Sequence, residues 1–260
     1  MLNLDLLRSE VDRHPYQLLF ATLSGAHLYG FPSPDSDYDL RGVHILPQSE
    51  ILGLHAKRET IAFEGIREGI EMDLVTHDVT KFFKMLLKRN GYVLEQLYSP
   101  LIVHVTAEYE ELLDIAKGCV TRNHSHHYLG FAATQWTLFQ KETPPRVKPL
   151  LYLYRVLLTG IHLMRTGRVE ANLLELNADF KLPYIQELVD RKINGAEKSI
   201  LETPELEFHQ LEYRRLAATL EIEATNSKLP LEATCLPELD DLLLRIRQSE
   251  NRCRGSIVDN

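Results

Sequence analysis

A chain of 260 residues, 44% hydrophobic and 25% charged, is long enough to bury a core in one large domain or two smaller ones. Its net charge of −8 argues against a general nucleic-acid coat protein, although a local basic cleft is compatible with it. The cysteines Cys119, Cys235 and Cys253 are scattered with no CxxC spacing, which excludes a disulfide framework and a zinc ribbon and fits a reducing cytoplasm. No run approaches the roughly 20 apolar residues of a membrane span. The start, MLNLDLLRSEVDRHP, lacks the layout of a secretory signal, so a cytoplasmic chain with no membrane partner is expected.

In chain order, LNLDLLRSEVDRH has the period of an amphipathic helix, and YQLLFATLSG is an apolar run stopped by small residues, as a buried strand is. The alternation from Tyr38 to Ile45 predicts a strand, and GIEMDLVT, from Gly69 to Thr76, predicts another. Asp78 is placed to cap a helix over VTKFFKMLLKR, which Asn90 and Gly91 then punctuate. From about Ala107 onward strand signals almost vanish. The stretches AEYEELLDIAKGC, HHYLGFAATQWTLFQK, KPLLYLYRVLLTGIHLMRTG, PYIQELVDRKI, PELEFHQLEYRRLAATLEIEA and PELDDLLLRIRQ each carry a period near 3.6. The expected organisation is α+β: a head with a mixed sheet over residues 1–105, then an α-helical domain over 106–260 that completes a cleft, with a polar tail fraying after about Gln248.

The chemistry concentrates in SGAHLYGFPSPDSDYDLRGVHI, from Ser24 to Ile45. If Asp37 and Asp39 lie in one strand they point to one face, where two like charges repel unless a cation sits between them. Paired carboxylates suit a hard cation such as Mg2+, whose shell is completed by waters and substrate phosphates. Asp73 interrupts the otherwise apolar strand IEMDLVT and is the candidate third carboxylate, with Glu71 on the same face as a weaker addition. Taken alone, SPDSDYD also reads as a solvated turn. Gly25 and Gly30 count against that reading, since a strand ending in a glycine turn lets backbone amides approach a phosphate closely.

These motifs resemble those of the DNA polymerase beta superfamily of nucleotidyltransferases, and within it the bacterial YcgL-type family. That pattern is similar to G-S-x-x-Y-G, a short loop, S-D-x-D-x-R-G and a later strand aspartate. Here the positions read Gly25-Ala26-His27-Leu28-Tyr29-Gly30, then Ser36-Asp37-Tyr38-Asp39-Leu40-Arg41-Gly42, then Asp73. The resemblance implies that Asp37, Asp39 and Asp73 are catalytic and hold two Mg2+ or Mn2+ ions, Asp73 serving the one that activates an acceptor hydroxyl. It places Ser24, Gly25, Ala26, Tyr29, Gly30, Ser36 and Arg41 around the NTP, Arg41 as a phosphate contact. One position departs from the pattern: Ala26 replaces a serine, giving up a hydrogen bond to phosphate of about 1–3 kcal/mol. Ser24, one residue before the glycine, is expected to point elsewhere.

In the helical half, Lys148, Tyr152, Arg155, Thr159 and His162 fall on one narrow face of KPLLYLYRVLLTGIHLMR, with no acidic residue among them. Such a stripe is either a solvated face or a lining of the cleft that holds a triphosphate or an RNA backbone, with Lys148, Tyr152 and Arg155 as candidate nucleotide-binding residues. The histidines His124, His126 and His127 match no common zinc spacing and read better as a polar helix start near the cleft, His127 or Tyr128 touching nucleotide. Trp136 reads as core. The expected activity is metal-dependent transfer of NMP to an acceptor hydroxyl with release of pyrophosphate. An RNA 3' hydroxyl is the favoured acceptor, on the stripe alone; a small molecule, a protein side chain, or a catalytically weak nucleotide-binding module are the alternatives.

Overall fold

The computed structural model describes residues 2–34, 36–52, 58–194 and 203–255, with side chains described through residue 249 in the last stretch. Five strands form one mixed sheet in the order β3-β4-β2-β1-β5: β1 (Leu18–Leu23), β2 (Tyr38–His44), β3 (Thr60–Arg67), β4 (Ile70–Asp78) and β5 (Ile102–Val105). Only β2 and β4 run parallel. The hairpin from β3 to β4 closes through Glu68 and Gly69, both at positive φ (51° and 81°), the conformation that matches a tight turn to the twist of its strands.

The side-chain alternation of β2 divides its residues between two apolar layers. Tyr38 and Leu40, with Leu18, Leu23 and Leu74, pack under Leu6, Leu7 and Val11 of α1 (Leu4–Asp12). Val43 faces the other way, towards α4 (Val79–Leu87), α5 (Gly91–Leu97) and α6 (Glu108–Ala116), where Phe20, Phe82, Leu94 and Tyr109 are buried. Asp78 caps α4 as its sequence position predicts, its carboxylate accepting from the Thr80 N–H at 3.0 Å.

Beyond residue 106 every described element is helical: after α6 and a short 3-10 turn come α7 (His124–Lys141), α8 (Val147–Thr166), α9 (Leu173–Phe180), α10 (Pro183–Ile193), α11 (Thr203–Asn226) and α12 (Leu236–Gly255). Helix α8 is the hub, packed against α7, α9, α10 and α11. One contiguous apolar core runs from Phe20 and Val43 of the sheet through Leu157 of α8 to Leu242 of α12. At about 1.5–3 kcal/mol for each fully buried large side chain, that continuity ties the two halves together. Helix α12 returns to the sheet, where the Arg247 guanidinium donates to both Asp78 oxygens (2.6 and 2.7 Å) and to the Leu46 carbonyl (2.7 Å).

The sequence did not indicate β3, β5, α9 or the short helices α2 (Gly25–Tyr29) and α3 (Gln48–Ile51), and it read Asn90 as a stop where it is the N-cap of α5, accepting from the Tyr92 N–H. The expected polar tail is helical through Gly255, and its remainder lies outside the described residues. Cys119 and Cys235 are buried free thiols 3.1 Å apart; the Cys253 side chain is outside the described set. No helix among the described residues is long and apolar enough to cross a membrane.

Candidate active site

Parallel pairing of β2 with β4 sets Asp39 directly beside Asp73, and the antiparallel partner β3 adds Glu64 to the same row. Directly opposed residues share a face, so a row of carboxylates crosses three strands. The cation that this arrangement calls for is Arg41. Its Nη2 donates to Asp39 Oδ1 (2.8 Å) and to Asp73 Oδ2 (2.7 Å), its Nη1 to the carbonyls of Leu40 and Asp73 (both 2.8 Å), and its Nε to the Tyr92 hydroxyl (2.8 Å). A guanidinium has five N–H donors, and each has a partner within the protein. Arg41, expected as a phosphate contact, therefore has no donor left for one and instead fixes the carboxylates.

Burial pushes the Asp39 carboxyl above its ordinary value; Arg41 pulls it back, and the charges of Asp37 and Asp73 add to the rise. Asp37 lies one residue before β2 and is exposed, so it does not share the strand geometry expected of it. Among the described residues no three acidic, histidine or cysteine side chains stand close enough together to hold a metal ion. The oxygens left uncommitted by Arg41 are hard donors of the kind that suits Mg2+ or Mn2+. They are Asp39 Oδ2, the buried and unpartnered Asp73 Oδ1, and the exposed Asp37 carboxylate. They do not converge as a set of three, so a divalent ion here would be held by fewer than three of them, with substrate phosphates completing its shell.

The glycine turn is shaped by what approaches it. Gly25 has φ +61°, and a Cβ there would stand 1.8 Å from Asp39 Oδ2; Gly30 has φ +86°, and a Cβ there would stand 2.2 Å from Asn172 Oδ1, the N-cap of α9. The first glycine makes room for the Asp39 carboxylate, and the second for the helical region. Ala26 is buried in the apolar core. Ser24, contrary to expectation, lines the cavity beside Asp39, its Oγ buried and without a hydrogen-bond partner.

That cavity has a volume of about 380 Å3 and opens between the head and the helices. Its wall is largely aromatic: Tyr29, Tyr92, Tyr128, Phe131 and Tyr152, with His127, whose imidazole burial holds below its ordinary pKa and so favours as the neutral form. On the other side of the carboxylate row lies a groove of about 450 Å3, bounded by Asp37, Glu64, Glu71 and Asp73. Asp39 faces the first space and Asp73 the second.

The stripe on α8 is not a surface ribbon. Only Lys148 is exposed, and it does not line the cavity. Tyr152 stands edge-on to Tyr29 and Phe31, at 5.5 and 5.7 Å between ring centroids. Arg155 is buried, bonded to Glu95 of α5 at 2.7 Å and set 4.0 Å over the Tyr29 ring. Thr159 is buried, and His162 belongs to a different pocket. Tyr152 and Arg155 thus join the helices to the head at the cavity wall, and the stripe no longer argues for an RNA backbone.

Ser36 bonds within its own loop, to Ser33, and that loop is held from the helical side by the buried Lys192 of α10, which donates to the Phe31 carbonyl (3.0 Å) and to Ser33 Oγ (3.1 Å). Sequence reasoning missed Lys192, Tyr92 and Glu64. Only Glu64 left a trace, in the alternating TIAFEGIR. Of the three histidines His124 is buried, His126 is exposed and His127 is in the cavity wall, so they do not converge. Trp136 stacks on Tyr213 of α11 at 5.0 Å.

A mixed sheet that pairs a DxD strand with a parallel aspartate strand beneath a helical cap defines a nucleotidyltransferase-like protein of the polymerase beta class. The chain belongs to the RNA repair pathway DNA polymerase beta family, whose sequence pattern matches residues 3–245. Among its relatives, the protein MJ0002 of Methanocaldococcus jannaschii is 31% identical over 156 residues, which cover 59% of this chain and 63% of that one. The YcgL protein of Bacillus subtilis is 24% identical over 202 residues, 75% of this chain and 76% of the other. A solved nucleotidyltransferase-like protein from Exiguobacterium sibiricum aligns over 86% of this chain and 74% of its own, at 13% identity and a TM-score of 0.33.

Proposed function

We propose that the chain transfers NMP from an NTP to an acceptor hydroxyl, releasing pyrophosphate. The observation that carries the reading is the row Asp39, Arg41, Asp73, which stands between two spaces. The aromatic cavity offers faces on which a base stacks; the groove beyond Asp73 gives an acceptor access to the same row. Held in line across the carboxylates, two substrates react with the advantage that fixed orientation gives.

The acceptor oxygen forms a bond to the α-phosphorus while its proton passes to the Asp73 carboxylate, which borders the groove. The bond from α-phosphorus to the bridging oxygen breaks, and pyrophosphate leaves with that electron pair. A divalent ion, held by Asp37, Asp39 and the triphosphate itself, would neutralise charge on the α-phosphate and leaving group. Arg41 keeps Asp39 and Asp73 at fixed separation, and Tyr92 orients Arg41.

For the acceptor, the family's association with RNA repair supports an RNA 3' hydroxyl. A second reading, a small molecule or protein side chain bearing a cationic group, draws on the four carboxylates around the acceptor groove. The test is incubation with each labelled NTP, Mg2+ or Mn2+, and separate pools of RNA, protein and small cationic acceptors that carry a hydroxyl. Label should pass to one pool with stoichiometric pyrophosphate and be lost in Asp39→Asn. No transfer to any pool refutes the reading, and transfer to a cationic acceptor alone selects the second form of it.

A further inference from the structure

We propose that Tyr92 carries the positive charge of Arg41 to the nucleotide: its hydroxyl accepts from Arg41 on one side and donates to a phosphate oxygen of bound NTP on the other. The inference rests on the nucleotidyltransferase reading of the site and names a group that meets the phosphates there. Arg41 is the cation of the carboxylate row, yet all five of its donors are engaged within the protein. Its charge reaches a substrate through one of those partners or not at all.

Tyr92 is the partner that faces outward. Among the described residues its hydroxyl is bonded to Arg41 Nε (2.8 Å) and to nothing else. An Nε–H can only donate, so the phenol proton turns away from Arg41, on a half-buried side chain that lines the cavity with Asp39 and Gly25. Accepting from a guanidinium polarises the phenol and makes its O–H a stronger donor, because hydrogen bonds in a chain reinforce one another. Burial works against the Arg41 charge, but Tyr92, Asp39 and Asp73 hold it in place, so the polarisation is lasting.

The ring is fixed by its helix. Asn90 caps α5 through the Tyr92 N–H (3.1 Å), and Gly91 lets α5 press on α7, since a Cβ there would stand 2.7 Å from Tyr128 Cζ. The cavity wall then divides by chemistry. Tyr92 touches the arginine that holds Asp39, where the reacting phosphate has to come, whereas Tyr128, Phe131 and His127 of α7 offer rings to the base. Beside Asp39 the buried Ser24 Oγ, also without a partner, presents a second hydroxyl to the same end of the cavity. Hydroxyl donors suit anionic phosphate oxygens, with which they form short, strong hydrogen bonds.

The test is calorimetric titration of the full chain, with Mg2+ present, by inorganic tripolyphosphate, α,β-methylene ATP and adenosine. Tyr92→Phe keeps the ring and removes the hydroxyl. It should weaken binding of tripolyphosphate and of the ATP analogue about tenfold or more and leave adenosine as in wild type. Replacing Tyr92 by 3-fluorotyrosine separates a donor to phosphate from a group that merely orients Arg41, because fluorine strengthens the O–H as a donor and weakens the oxygen as an acceptor. Below the pH at which the fluorophenol ionises, tripolyphosphate should bind this chain more tightly than wild type. Equal or weaker binding overturns the proposal, even where Tyr92→Phe does not fold. So does a Tyr92→Phe chain that binds tripolyphosphate like wild type, or one whose loss falls on adenosine. Wild type that binds neither phosphate compound overturns both this inference and the functional reading. Hydroxyl-dependent tripolyphosphate binding with no NMP transfer to any acceptor would sink the functional reading and leave the Tyr92 contact standing; NMP transfer with tripolyphosphate binding indifferent to the hydroxyl would sink this inference alone.

Discussion

The ion pair between Arg155 and Glu95 decides whether the helical region is bolted to the head or merely faces it across water. Both side chains are buried, 4% and 3% exposed, and their contact is 2.7 Å. Burial pushes the Glu95 carboxyl up, and Arg155 works against that rise. Glu95→Ala removes the carboxylate that, among the described residues, is bonded to the Arg155 guanidinium under Tyr29, and an unpaired buried charge of this kind costs about 3–5 kcal/mol. Measured against a total stability of roughly 5–15 kcal/mol, that is a large fraction. Glu95→Gln keeps a neutral acceptor and should lose about half as much. The double change Glu95→Leu with Arg155→Met removes both charges at similar volume and should recover most of the loss. Urea titration followed by far-UV circular dichroism measures all three, and the single changes Glu95→Leu and Arg155→Met complete the double-mutant cycle that isolates the coupling. A loss under about 1 kcal/mol for Glu95→Ala would show water reaching Arg155, and would return α8 to the role of an open cleft wall.

Asp39→Asn should abolish NMP transfer while changing stability by no more than about 1 kcal/mol, because relief of a buried charge beside Asp37 and Asp73 offsets the weakened bond to Arg41; transfer assays and melting curves of one preparation check both. Gly25→Ala places a methyl 1.8 Å from Asp39 Oδ2 at a φ of +61°, so transfer should fall at least tenfold and stability by about 1–2 kcal/mol, read in the same assays. Burial holds His44, His77, His124 and His209 at about 4 in the folded chain against 6.5 when unfolded. The unfolded state therefore binds more protons in that window, and their contribution is complete above pH 6.5 and lost as pH falls towards 4. The melting temperature should drop between pH 7 and 5, less steeply in His124→Gln; a flat profile would contradict the assigned burial. Asp39 and Glu95, with raised carboxyls, pull the other way, because the folded chain holds their protons at a higher pH than the unfolded one does.

The carboxylate row was legible because strand alternation fixes faces: Asp39 and Asp73 each interrupt an apolar alternation, and their strands pair in register. Asp37 was misplaced by a single residue, since the loop of Pro, Ser and Asp carries no signal for where pairing with β4 begins. The α8 stripe shows the complementary limit. Periodicity puts Tyr152 and Arg155 on one face of the helix but says nothing of what covers it: Tyr29 lies 123 residues from Tyr152 in sequence, and Glu95 lies 60 from Arg155. Arg41 was visible as a cation and misassigned in role. Saturation of all five donors depends on Tyr92 and on two carbonyls whose positions only the assembled sheet defines. The strand β3 was overlooked although it alternates, because its outward residues are mixed, as befits an edge.

The bond from Arg247 to Asp78 also sets an order of events during synthesis. The two residues are 169 positions apart, so at about 5–20 residues per second Asp78 leaves the ribosome roughly 8–34 s before its counter-charge exists. During that interval the end of β4 and the cap of α4 carry an uncompensated carboxylate, and the core that α12 will cover is open to water. The sheet that carries Asp39 and Asp73 can collapse early, but it locks only when the α12 segment arrives. A nascent chain stalled before Arg247 should therefore remain sensitive to protease along β4 and α4, and one released after it should not.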